Sequence, residues 1–146
     1  MTLQAYEFAN TASQPLTSAG TAYTAPVWLV GATWITPTAA QMCRLGKLQP
    51  DWDSYGAAPV SASAVDLMIT LLAGVMNPNS PAPTLVPSAQ GHLQAEWHTK
   101  GIDLEVEAVD PTHIVVDYEG PGGGWSETLS LDLRKLVSAI NRLSTP

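Results

Sequence analysis

The chain has 146 residues, with six Lys+Arg against thirteen Asp+Glu and a formal net charge of −7. That length fits a single domain with a real core. The acidity argues against direct nucleic-acid binding, which needs clustered cations, and against an anionic membrane surface, while leaving room for a basic protein partner or for mimicry of nucleic acid.

Residues 1 to 38 form a low-charge arm rich in Thr, Ala and Ser, with Glu7 as its only charge and Tyr6, Phe8, Tyr23, Trp28 and Trp34 as its aromatics. A disordered tail normally carries more charge and fewer rings. An extended arm that docks on its own domain, on a second copy or on a partner is expected, with a strand over Val27 to Ile35. Residues 39 to 146 read as a single α+β domain. Thr38 and Gln41 resemble a capping box, which predicts a helix from Ala39 to about Lys47 burying Met42, Leu45 and Leu48. An irregular link, Asp51 to Pro59, follows. Ser61 or Ser63 then caps a second helix with a buried stripe of Val65, Met68, Ile69, Leu72 and Met76. Four prolines in residues 77 to 87 exclude helix and predict a connection into the sheet.

The stretch His92 to Val109 carries the clearest pattern. Leu93, Ala95 and Trp97 alternate with Gln94, Glu96 and His98; after Lys100-Gly101, Ile102, Leu104, Val106 and Ala108 alternate with Asp103, Glu105 and Glu107. A two-residue loop keeps both apolar sets on one face, whereas a three-residue loop would flip one of them. It predicts Thr99 opposite Ile102, His98 opposite Asp103, Trp97 opposite Leu104, Glu96 opposite Glu105 and Gln94 opposite Glu107. A third strand over Thr112 to Tyr118, a flexible turn at Gly120 to Gly124, a fourth strand over Trp125 to Leu129 and a Ser130-capped helix complete the chain. The fold expected is α+β, an antiparallel four-stranded meander with room for a fifth strand. Its helices pack on one face, in the order α-α-β-β-β-β-α.

The single cysteine, Cys43, excludes an internal disulfide and a cysteine-rich zinc site. No basic leader and no membrane-length apolar run occurs, so the expectation is the cytoplasm of a bacterium or of a phage-infected cell. The facing carboxylates Glu96 and Glu105 need a cation, a proton or a basic partner to relieve them. With His98, Asp103 and Glu107, and with His92, His113 and Asp117 nearby, three readings stand. The face is solvated, it docks a basic protein, or it performs metal or acid/base chemistry, for which Glu96, His98 and Glu105 would be the set. The link residues Trp52, Asp53 and Tyr55 are a second candidate binding group. The plainer reading makes Trp52 and Tyr55 a plug between helices.

Leu45, Leu48, Trp52-Asp53-Ser54-Tyr55-Gly56-Ala57 and Pro59, followed by Pro87, Gly91, Glu96-Trp97-His98, Gly101 and Asp103-Leu104-Glu105-Val106-Glu107, resemble a family of small bacterial proteins. Those proteins share a WD-x-YG-A-x-P stretch and an EWH-x-x-G-x-DLE-(I/V)-E stretch. The resemblance covers the last two thirds of the chain; it joins loop and hairpin into one module and implies no activity. The function expected is therefore a non-enzymatic, cofactor-free, acidic protein-binding module of the antitoxin, immunity or anti-defence inhibitor type, from a phage or mobile element. Homo-oligomers would form through the N-terminal arm. The alternatives are a metal-dependent or acid/base enzyme and a phage structural subunit.

Overall fold

The computed structural model describes residues 15–18, 21–24 and 31–144. In chain order the elements are β1 (Pro15–Ser18), β2 (Thr21–Thr24), α1 (Ile35–Leu45), α2 (Ala62–Val75), β3 (Thr84–Pro87), β4 (Leu93–Thr99), β5 (Ile102–Asp110), β6 (His113–Gly120), β7 (Gly123–Leu129) and α3 (Arg134–Ser144). β1 and β2 pair as a small hairpin, with β1 lying against α1. The other five strands form one antiparallel sheet in the order β3-β4-β5-β6-β7, so the domain is α+β and its sheet is a meander. None of the described helices is long and apolar enough to cross a membrane.

The central hairpin has the register that the alternation requires: Thr99 pairs with Ile102, His98 with Asp103, Trp97 with Leu104, Glu96 with Glu105 and Gln94 with Glu107. Lys100 and Gly101 turn the chain at φ values of 57° and 72°, a type I′ geometry whose twist matches the strands. Leu93, Ala95, Trp97, Leu104, Val106 and Ala108 are therefore all buried on one face. α2 lies across that face against β4 and β5, and α3 packs beside it. The fully buried Met68, Leu71 and Leu72 of α2 and Leu136, Ile140 and Leu143 of α3 fill the layer between. Ser61 caps α2, its Oγ accepting from the Ala64 amide at 3.0 Å.

Several boundaries differ from the sequence reading. Gly31 to Trp34 form a turn and Ile35 is already helical, so no strand reaches Ile35; Val27 to Val30 lie outside the described residues, as does most of the arm. α1 begins four residues before Ala39, with Pro37 in its first turn, where a missing amide leaves no hydrogen bond unmade. Thr38 is thus a buried residue inside the helix rather than its cap. Gln41 clamps the neighbouring strand instead. Its Nε2 donates to the Pro83 carbonyl at 2.8 Å and its Oε1 accepts the Leu85 amide at 2.7 Å. That clamp helps to hold β3, which the prolines hide in the sequence and which is an edge strand, where Pro is tolerated. Gly120 to Gly124 do not form a loose loop: Gly120 pairs with Gly123 across the two residues Pro121 and Gly122, and β7 starts two residues before Trp125. α3 begins at Arg134, four residues beyond Ser130; Asp132 Oδ1 accepts the Arg134 amide at 3.1 Å.

Trp97 is 3% exposed and donates its indole N–H to the Pro81 carbonyl at 2.9 Å. Trp97→Ala should therefore cost about 3–5 kcal/mol of unfolding free energy, measured by urea titration. A loss below about 1 kcal/mol would place the ring outside the core.

Candidate functional site

The face of the sheet away from α2 and α3 carries the polar half of every alternation. Across the strands, one row runs Thr84, Glu96, Glu105, Asp117, Ser126; the next toward the turn runs His98, Asp103, Glu119, Gly124. The row on the other side runs Val86, Gln94, Glu107, Val115, Thr128. Six carboxylates, Glu96, Asp103, Glu105, Glu107, Asp117 and Glu119, thus share one surface, and β3 to β7 contain no Lys or Arg. The residues of this face are exposed or half-buried.

The crowding of Glu96 and Glu105 is relieved from within the face. Gln94 Nε2 donates to Glu96 Oε1 and to Glu105 Oε2, each at 3.1 Å. His98 stands between two acids, with Nδ1 at 2.8 Å from Asp103 Oδ1 and Nε2 at 3.3 Å from Glu96 Oε2. A neutral imidazole donates through one nitrogen only, so a carboxylate at each nitrogen favours the doubly protonated ring. Asp103, and after it Glu96, accordingly raise the His98 pKa above its usual value. At the far end of the row His92 Nδ1 lies 3.4 Å from Glu107. His113 is drawn off the row by Asp110, at 2.8 Å, and holds that carboxyl well down, at about 2, with help from Thr112.

Between β5, β6 and β7 the face dips into an open groove of about 440 Å³, lined by Asp103, Glu105, Asp117, Glu119, Trp125 and Ser126. The four carboxylates suit a guanidinium or ammonium group, while the Trp125 ring lies on the helix side, stacked on Tyr118. Glu119, Trp125 and Ser126 were not singled out from sequence. The alternation of β6 would have found Glu119, because it continues the His113, Val115, Asp117 face. Glu96, His98 and Glu105 are not gathered as metal ligands: among the described residues no three His, Cys, Asp or Glu side chains are arranged to hold a metal ion.

The link from Asp51 to Pro59 is an ordered loop. Asp53 Oδ1 accepts the Tyr55 and Ala57 amides at 2.8 and 3.0 Å, and Asp51 Oδ1 accepts the Gly56 amide at 2.6 Å. Trp52 lies half-buried, its indole N–H on the Ala58 carbonyl at 2.9 Å. Tyr55 does not plug the helices: it is 92% exposed. This loop is joined to the turn before β4 by the Ala58 amide on the Ala89 carbonyl, at 2.9 Å. Nothing in these contacts brings Trp52, Asp53 and Tyr55 together with the acidic face. Comparison with family models, with curated proteins and with solved structures gives no match to this chain, so the roles of its residues are read from their geometry.

The His98 arrangement has a pH signature. A raised folded-state pKa means that ring protonation favours the fold. The contribution is complete below the unfolded value near 6.5 and is lost as pH rises through the folded pKa. Asp103→Asn should move the His98 imidazole titration, followed by NMR, back toward 6.5. An unchanged midpoint would mean that Asp103 does not hold the ring.

Proposed function

We propose that this chain is a non-enzymatic protein-binding module whose acidic sheet face docks on a basic surface of a partner protein, in the manner of an antitoxin, immunity or anti-defence inhibitor protein of a phage or mobile element. The observation that carries this reading is the segregation of charge. Six of the thirteen acidic residues stand on one sheet face, the one away from α2 and α3, while Arg44, Arg134, Lys135 and Arg142 sit on helices, with Lys47 just beyond α1 and Lys100 in the hairpin turn. Strands offer a flat, rigid platform, so the carboxylates need little reordering to meet a complementary patch. The groove at Asp117 and Glu119 then receives an Arg or Lys side chain of that partner. Opposed charge of this kind raises the association rate and fixes the choice of partner more than it adds affinity.

The test is an affinity capture from the native host run in parallel with wild type and with the triple variant Glu105→Gln, Asp117→Asn, Glu119→Gln. A basic protein retained by the wild type, lost by the variant and released by raised salt is the expected result. Recovery of the same proteins by both baits, with no salt dependence, would end this reading.

A further inference from the structure

The two edges of the sheet are finished differently. β3 is closed: Gln41 occupies the Pro83 carbonyl and the Leu85 amide, and Pro87 has no amide to offer. β7 is open. Because Gly120 and Gly123 flank a two-residue turn, hydrogen-bonded pairs with β6 fall on Gly123, Trp125, Glu127 and Leu129. The amides and carbonyls of Gly124, Ser126 and Thr128 therefore point away from the sheet. All three residues are exposed, and among the described residues no further strand pairs with them.

We infer that β7 pairs antiparallel with β7 of a second copy of this chain, about a two-fold axis at Ser126. In that register Ser126 meets Ser126, and Gly124 meets Thr128, all through hydrogen-bonded pairs that use the outward amides and carbonyls. No carboxylate opposes another across the axis, since the outer-face residues of β7 are the uncharged Gly124, Ser126 and Thr128. On the helix side the match is one of opposite charge. Trp125 of one copy stands opposite Glu127 of the other, and Lys135 already lies over the Trp125 ring with its ammonium 4.4 Å from the centroid. The Glu127 carboxylate, which Lys135 also pairs with in its own chain, is thereby shared between the copies. An axis perpendicular to the sheet keeps both acidic faces on one side. The row Glu96, Glu105, Asp117, Ser126 then continues into its own mirror order, with the two Asp117 residues about 14 Å apart, three strand spacings. Ser126, which lines the groove with Asp117 and Glu119, then lies at the junction of the two copies.

Sedimentation velocity on the full chain, from low to high micromolar concentration, tests this directly. The expected result is a doubled mass that tightens as salt screens two chains of charge −7. Binding of a basic partner to the acidic face weakens with salt, so the two proposals fail separately. Ser126→Pro removes an outward amide that β6 does not use and should raise the dimer dissociation constant about tenfold or more, through two lost hydrogen bonds. Ser126→Asp, which sets two carboxylates face to face, should do the same and serves if the proline variant misfolds. In a Cys43→Ala background, Ser126→Cys should cross-link under oxidation, whereas Thr84→Cys on the opposite edge should not. A wild-type monomer at the highest concentration, a dimer indifferent to both Ser126 variants, or an edge that takes only a foreign strand would each overturn the inference.

Discussion

The two-residue turn at Lys100 and Gly101 decides more of this molecule than any other local feature. Side chains alternate with period two along a strand, so a slip of one residue would exchange the faces of the whole hairpin. With the turn at this position, Trp97 and Leu104 enter the core together, and the same step sets Glu96 opposite Glu105. The acid crowding is thus the counterpart of the core: the register cannot be changed to separate the carboxylates without exposing Trp97. Relief has to come from side chains already on that face. Gln94 spans the two glutamates and His98 spans Glu96 and Asp103, so both act as internal counter-groups on strands that contain no Lys or Arg.

The helical layer is held by side-chain-to-backbone bonds at its margins. Gln41 presents a primary amide with the same donor and acceptor that a neighbouring strand would offer, and so joins α1 to the edge of the sheet. Trp34, at the start of α1, donates to the Asn77 carbonyl at 3.0 Å, and Asn77 Nδ2 reaches Asn141 and Ser144 of α3, each at 3.1 Å. One asparagine after α2 thereby ties the first and last helices together. On the opposite side, Tyr118 stacks on Trp125 at 5.7 Å while Arg142 Nη1 donates to the Tyr118 hydroxyl at 3.0 Å. These contacts anchor β6 and β7 to α3, which keeps the outer strand of the acidic groove in place.

Alternation is a strong signal where one face of a strand is buried, so β4 and β5, their register and their acids were legible residue by residue. Other features were hidden by chemistry with two meanings. Pro37 marks a helix flank as readily as a first helical turn, which displaced the start of α1. Prolines argue against a strand except at an edge, which concealed β3. Three consecutive glycines suggest mobility, yet Gly123 and Gly124 belong to β7, and only the pairing of Gly120 with Gly123 reveals the tight turn. Aromatic rings are usually buried, so Tyr55 read as filler. Its loop, however, is satisfied by Asp51, Asp53 and Trp52 and leaves the tyrosine ring outside. The acidic set on the hairpin was visible in the sequence; the groove was not, because it depends on how β6 and β7 register against β5.

The loop from Trp52 to Pro59 and the hairpin that follows are joined by specific contacts. Gly91, at φ 88°, approaches the Pro59 carbonyl so closely that a Cβ would stand 2.9 Å from its oxygen, and the Ser61 amide reaches the Gly91 carbonyl at 3.2 Å. Asp51 and Asp53 saturate the loop amides, and Trp52 closes it on Ala58. Together these contacts fix where α2 begins relative to where β4 begins, since Ser61 caps the one and Gly91 precedes the other. The stretch from Trp52 to Pro59, with Gly91 and the start of β4, is therefore a folding junction. The hairpin residues divide into two groups. Trp97, Leu104 and Val106 are core and Gly101 is turn, whereas Glu96, His98, Asp103, Glu105 and Glu107 leave the core for the open face. Packing accounts for the first group completely. The second group carries charge that the fold must work to tolerate, and such charge is the physical ground for the docking face proposed there.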